Sequence, residues 1–291
     1  MRVLVVHNRY QRRGGEDTVV DHEVALLRRH GHEVELWTDD NARVDTIPSA
    51  RLAAGTIWSR AAYGELARRV AADRVEVVHF HNTLPLISPS GYYGARSAGA
   101  AVVQTLHNYR LVCPTGTLLR AGRPCEDCVG RSPWPAVLHR CYRDSAAASA
   151  TVAAMLVAHR AARTWARAID AYIALTEFVR DRVTAGGVPR DRVIVKPNFA
   201  EASPRRAVPE RGSHVLFVGR LSPEKGAATL IDAWRILGLA APRLLIVGDG
   251  PDAAALSARA AGLSGVELLG RQPRERVVEL MADAAALIVP S

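Results

Sequence analysis

This sequence predicts two doubly wound α/β domains built on parallel sheets, on the strength of three observations. Short apolar runs alternate with helical patterns from residue 2 onward; parallel strands read as continuous apolar runs because helices cover both faces of the sheet. A polar, proline-bearing stretch at 201–212 interrupts that rhythm, which then restarts. The stretch 217–226, Phe-Val-Gly-Arg-Leu-Ser-Pro-Glu-Lys-Gly, joins an apolar run to a helical pattern through a glycine-flanked basic loop. A helix entered through such a loop offers free amides and a positive dipole to a phosphate group.

Taken in order, the first strand is Arg2–Val6, followed by a loop containing Gly14-Gly15. Val20, Val24 and Leu27 share one face of a helix over about Thr18–His30, with Gly31 as its stop. A strand at Glu33–Trp37, a helix at about Ser59–Ala72 and buried strands at Val75–Phe80 and Ala101–Leu106 come next. Residues 108–145 hold Gly, Pro, Trp and all four cysteines, and read as an irregular insertion. An alanine-rich helix over Ala146–Ile169, a strand at Ala171–Ala174, a helix at Glu177–Ala185 and a strand at Val193–Val195 complete a first domain, 1–200. Beyond the linker, strands at Val215–Val218, Leu244–Val247, Val266–Leu269 and Ala286–Val289 alternate with helices at about Ala227–Leu237, Asp252–Ala261 and Pro273–Met281. This second domain, 213–291, is short for a doubly wound fold and reads as partial.

The length of 291 residues suits two domains, and a hydrophobic share of 48% supplies their cores. No apolar run approaches the ~20 residues that cross a bilayer. The N-terminus reads as a strand and not as a signal peptide, so a cytoplasmic location is expected, with the inner face of the membrane as a place of work. Net charge is +9, and residues 1–200 carry 27 basic and 19 acidic side chains against 11 and 10 in the remainder. A basic first domain suits a solvated surface, an anionic acceptor or peripheral contact with an anionic membrane. Without a nucleic-acid motif or interleaved aromatics, no nucleic-acid partner is expected. Only Lys196 and Lys225 are lysine, the other 36 basic residues being arginine. A lysine kept inside a phosphate-type loop is therefore pointed.

Several motifs recur in a fixed order: Gly14-Gly15-Glu16, Gly31-His32-Glu33-Val34, the run Val77 to Asn82, and Thr105-Leu106-His107-Asn108. Pro197-Asn198-Phe199, Gly219-Arg220, Glu224-Lys225-Gly226, Gly248-Asp249-Gly250-Pro251 and Ala284–Ser291 follow. In this order and spacing the chain resembles glycosyltransferases of the GT-B fold, group 1 (family 4), a retaining class with two Rossmann-like domains. The resemblance implies sugar transfer, of hexosyl type, from a nucleotide-sugar donor to a hydroxyl acceptor on a glycan or a lipid-linked glycan, as in polysaccharide biosynthesis. The donor would lie in the interdomain cleft, mostly on the second domain, and no cofactor is needed.

The resemblance further implies that Arg220 and Lys225 hold the donor diphosphate. Preorganised cations aimed at charge that builds on a leaving group lower a barrier by a few kcal/mol, and surface charge beside a turn is the plain alternative. Gly14 and Gly15 would let backbone amides approach the phosphate or sugar. His107 ends a strand at its carboxyl edge, where open α/β sheets bind ligands, and the family's matching histidine contacts the sugar near the reaction centre. His81 would line the cleft, while His79 reads as core. Asn198 is a hinge or donor contact, and Gly219, Gly248, Gly250 and Leu269 lie around the nucleotide, the last near the base. The family also carries a glutamate pair spaced E-x7-E shortly after the Pro-Ser matched by Pro290-Ser291, and this sequence stops before it. The expectation is a C-terminally truncated enzyme, so that transfer activity in this polypeptide is an open point. A non-catalytic binding remnant and a nucleotide-sugar epimerase are the rivals; turnover of donor alone would mark the epimerase.

Cys113, Cys125, Cys128 and Cys141 are spaced C-x11-C-x2-C-x12-C inside one insertion. Four thiolates around a central C-x2-C suit a structural zinc, with disulfides and free thiols as alternatives.

Overall fold

The computed structural model describes residues 1–11, 14–199 and 212–290. They fall in two compact units, one within 1–201 and the other within 202–291. The expected linker, apart from Gly212, and Ser291 lie outside the described residues.

The first unit begins with β1 (Arg2–Arg9), α1 (Gly15–Arg29), β2 (Glu33–Asp40), α2 (Ser49–Ile57), α3 (Arg60–Asp73) and β3 (Val77–Phe80). Then come α4 (Ser90–Ser97), β4 (Ala101–Leu106), a small hairpin of β5 (Leu119–Arg120) and β6 (Arg123–Pro124), and α5 (Pro135–Leu138). It closes with α6 (Ala146–Ala161), α7 (Thr164–Arg167), β7 (Ala171–Ala174), α8 (Glu177–Ala185) and β8 (Val193–Val195). Six strands form a parallel sheet in the order β2-β1-β3-β4-β7-β8. Its strands are continuous apolar runs because both faces are covered: Leu4, Val5 and Val6 are all fully buried. Leu4 and Val6 face the larger core with Val78 and Leu156, and Val3 and Val5 pack under α1 against Val20 and Val24. Strand order reverses between β1 and β3, which opens a crevice at their carboxyl ends.

The second unit comprises β9 (His214–Val218), α9 (Ala227–Leu237), β10 (Leu244–Val247), α10 (Ala253–Ala260), β11 (Val266–Gly270), α11 (Arg274–Ala282) and β12 (Ala284–Leu287). Its parallel sheet runs β11-β10-β9-β12, so the reversal lies between β9 and β12. Two small cores flank it, one with Phe217, Ile231, Trp234 and Ile246, the other with Leu216, Leu245 and Leu280.

Several elements depart from the sequence reading: β12 lies two residues ahead of the expected Ala286–Val289, and the stretch read as irregular holds β5, β6 and α5. Helices α2 and α4 are additions. The long helix expected over Ala146–Ile169 breaks at Arg163, whose φ of 54° ends α6 and starts the short α7. Thr164 is fixed at that break, its Oγ1 bonded to His159 Nδ1 at 2.9 Å and to the Tyr93 hydroxyl at 2.8 Å. Among the described residues, no helix is long and apolar enough to cross a membrane.

Candidate active site

The crevice of the first unit is floored by four histidines. His7 comes from β1, His79 from β3, His81 from just past β3 and His107 from just past β4. Because β1, β3 and β4 are neighbours in register, these side chains stand side by side. Ring centroids of His79 and His81 are 4.5 Å apart, and His81 and His107 stack at 5.1 Å. His81 Nδ1 lies 2.8 Å from His107 Nε2, and His79 Nε2 lies 2.8 Å from Thr105 Oγ1.

Two carboxylates reach this floor from α1. Asp17 Oδ1 is 3.0 Å from His7 Nε2, and its other oxygen accepts the Gly14 amide at 2.8 Å, closing the helix N-terminus. Glu23 is buried; its Oε1 accepts from Lys196 Nζ at 2.8 Å, and its Oε2 sits 3.2 Å from His81 Nε2. The latter contact is electrostatic, since neither atom meets hydrogen-bond geometry. A carboxylate beside Nε2 favours the proton there. With the proton on His81 Nε2, the bond between the two rings is donated by His107 Nε2–H and His107 Nδ1 is an acceptor.

Burial is the largest force on the ring acidities. It lowers His7, His79 and His81, the last well below 6.5, and it carries His107 down to about 4 with help from His7, His79 and Lys196. All four are neutral at neutral pH. The ligating atoms of Glu23, His79 and His81 also lie within 4.8 Å of one another, a spacing compatible with a cation. Lys196 and Thr105 already serve Glu23 and His79.

Above the floor, His81, His107, Asn108, Arg110, Leu111 and Tyr92 border a cavity of about 30 Å³, room for roughly one water. Beside it, Glu16 Oε2 accepts the Tyr10 hydroxyl at 2.9 Å and Oε1 takes Asn108 Nδ2 at 3.3 Å. Burial raises the Glu16 carboxyl above its ordinary range. Gly14 has an extended φ of −127° and its amide is committed to Asp17, while Gly15 opens α1. Asn198 is exposed beyond β8, next to Phe199, over which Lys196 Nζ sits 5.3 Å from the ring centroid.

In the second unit, the glycine turns after β9 and β10 interlock, and the β9 turn also borders the switch point. The Gly219 amide donates to Val247 O, and the Leu221 amide to Asp249 O, each at 3.0 Å. A Cβ on Gly248 would stand 1.8 Å from Gly219 O, and one on Gly250 2.2 Å from Leu221 O. Only glycine leaves room for backbone to meet backbone so closely. Gly226 caps α9 with φ +71° beside Pro290, which follows β12. Arg220 is exposed and Lys225 half-buried, and neither has an ion-pair partner among the described residues. Glu224, between them in sequence, accepts from Ser222 Oγ at 2.5 Å. Leu269 is half-buried against the Leu245 core, and its carbonyl accepts from Gln272 Nε2 at 2.6 Å.

The four cysteines are free thiols that line one cavity of about 20 Å³. Burial, with the neighbouring thiols adding, pushes Cys128 up to about 11.

Sequence reasoning missed Glu23, Lys196, His7 and Asp17. Two signals were present. Glu23 is a charge on the apolar face of α1, set between Val20 and Val24, and Lys196 is the other of only two lysines.

Two parallel-sheet units, each with polar groups gathered where the strand order reverses, define the GT-B class. A family model described as "Glycosyl transferase 4-like domain" matches residues 14–198, and one described as "Glycosyl transferases group 1" matches residues 212–291. The chain belongs to this glycosyltransferase family. No curated protein matches it. Among solved structures, the apo form of the lipopolysaccharide outer core galactosyltransferase WaaB is similar at 15% identity and a TM-score of 0.57, over 100% of this chain and 74% of that one. Anabaena Alr3699/HepE in complex with UDP is similar at 16% identity and a TM-score of 0.58, over 99% and 73%. UDP-GlcNAc 2-epimerase from Neisseria meningitidis follows at 10% identity and 0.53, over 100% and 78%. At these identities the likeness is one of fold.

Proposed function

We propose that the protein transfers a hexosyl group, with retention, from a nucleotide-sugar to a hydroxyl of a glycan or lipid-linked acceptor. The observation that carries this is the pair Arg220 and Lys225, two cations without ion-pair partners among the described residues, on a glycine-built turn at a switch point. HepE, also solved with UDP-glucose, supports a nucleotide-sugar as the donor class. In the reaction the C1–O bond to the diphosphate breaks with its electron pair on oxygen, the acceptor oxygen bonds to C1, and the acceptor proton passes to the released diphosphate. Charge grows on the departing diphosphate, where a guanidinium fork and an ammonium would neutralise it. Gly219, Gly248 and Gly250 belong to the donor site as the fixed turns that carry the diphosphate-binding cations, with Leu269 near the base. Gly15 and Asn198 are further donor contacts. The chemistry needs no metal, because the chain supplies the cations. The basic first unit, residues 1–200, takes the acceptor and touches an anionic membrane surface from the cytoplasmic side, and residues 213–291 take the donor.

The test is incubation with a panel of nucleotide-sugars and simple glycan acceptors, reading diphosphate release and the anomeric configuration of the product. Acceptor-dependent release with the donor's own configuration is expected. An inverted product overturns retention, and an isomerised donor without acceptor overturns transfer.

His107 Nδ1, left as an acceptor, takes a hydroxyl of the transferred sugar. Glu23 is its positioning residue through His81. Glu23→Gln is expected to lower kcat roughly tenfold or more, with donor KM little changed, and to shift the acid limb of the pH profile. An unchanged profile and kcat would leave Glu23 a purely structural group.

A further inference from the structure

The insertion carries chemistry that sugar transfer does not use. Cys113 follows the β4 loop, Cys125 and Cys128 follow the β5–β6 hairpin, and Cys141 follows α5. They are separated by up to 28 positions in sequence, yet all four border the same cavity, with Leu118, Pro135 and Ala136 as its apolar wall. Cys113 and Cys128 are buried, Cys125 and Cys141 half-buried, and none is paired in a disulfide. Four sulfurs gathered from three separate segments, with a C-x2-C at the centre, match the donor set of a closed tetrahedral zinc site.

We propose that Cys113, Cys125, Cys128 and Cys141 bind one structural Zn²⁺ that staples the insertion onto the first unit. No three of the sulfurs come within 4.8 Å of one another among the described residues. Bonds of ~2.3 Å to a common ion would set them about 3.8 Å apart, so metal binding tightens the cluster. A tetrathiolate site carries excess negative charge. Arg120 lines the same cavity, as does its partner Asp127 at 2.6 Å, so its charge is shared between that carboxylate and the thiolates. Each thiol loses its proton on binding, so affinity rises with pH.

The staple bears on the active site through one short stretch of chain. The Cys113 amide donates to Tyr109 O at 2.8 Å, and Arg110 Nη1 donates to Pro114 O at 2.5 Å. Arg110 and Asn108 border the cavity above His107. The far side is held by Arg160, whose Nη2 donates to Cys128 O at 3.2 Å, and by Arg182, which pairs with Glu126 at 2.8 Å. Fixing Cys113 therefore fixes Arg110 relative to His107.

The chain, purified under reducing conditions without added metal, is expected to contain about one zinc per molecule by mass spectrometry of the elements. A thiol-directed mercurial should release that zinc from the native protein as the thiols titrate. Cobalt substitution should give a thiolate-to-metal charge-transfer band. Cys125→Ser with Cys128→Ser should abolish both, whereas Glu23→Gln should leave both intact. Freshly reduced protein free of zinc and unable to take up added zinc would overturn the proposal. So would zinc that survives the double cysteine variant and disappears with Glu23→Gln, which would move the metal to the histidine group, and so would two disulfides in protein handled without reductant. If the double variant fails to fold, mercurial release from the native chain still decides the matter.

Discussion

Alanine at both Arg220 and Lys225 is expected to lower kcat/KM for a nucleotide-sugar donor by a hundredfold or more, since each such donor to a developing oxyanion typically accounts for ~10²–10³ in rate. The loss should be specific to function. Arg220 is exposed, Lys225 is half-buried, and neither forms a close ion pair among the described residues, although both help to lower the Glu224 carboxyl, so the folded state should lose little stability. Nucleoside diphosphate affinity should fall as well, because the same charges meet the leaving group before and after transfer. Arg220→Lys should restore part of the rate, keeping the charge while losing the two-pronged geometry. Steady-state kinetics with calorimetry of diphosphate binding checks this. Unchanged affinity and rate in the double variant would remove the basis of the functional reading.

The second large effect is acid lability. His107 is held at about 4 against an ordinary 6.5, chiefly by burial, and His7, His79 and His81 are lowered for the same reason. Unfolded histidines take up protons near 6.5, while these four resist protonation. The unfolded chain therefore binds more protons across this window, and stability falls as pH drops from 6.5 towards 4. For His107 alone the difference amounts to roughly 3 kcal/mol. Carboxylates paired with arginine act lower on the scale; Glu65, held by Arg68 and Arg69, sits at about 2. In the interval between pH 4 and 6.5 Glu16, raised by burial, acts in the opposite sense, and the four histidines outnumber it. Urea midpoints across it should fall steeply on acidification, and a flat profile would mean that the group is hydrated or already charged.

The sheet strands were largely legible because a buried parallel strand is simply a run of apolar residues. Ala101–Leu106, Ala171–Ala174 and Leu244–Val247 were expected at the positions where they occur. Helix α4 was hidden by its own composition. Ser90–Ser97 contains two glycines, poor helix formers that are present for packing: a Cβ on Gly94 would lie 2.4 Å from the Tyr63 carbonyl of α3. The break at Arg163 was hidden because alanine-rich sequence carries no stop of its own. Among the candidate site residues, Arg220, Lys225 and His107 stood out because each follows a strand in a local pattern. Glu23 and Lys196, by contrast, meet across 173 residues of sequence. No local pattern encodes that meeting, although a charge on an apolar helix face was its trace.

Where Gly219 and Gly248 abut, a carbonyl fills the space that a side chain would otherwise claim. The two turns are in effect one mechanical part, unable to slide past each other. Divergence in substrate preference must then come from residues hung on the turns, while their shared outline stays fixed.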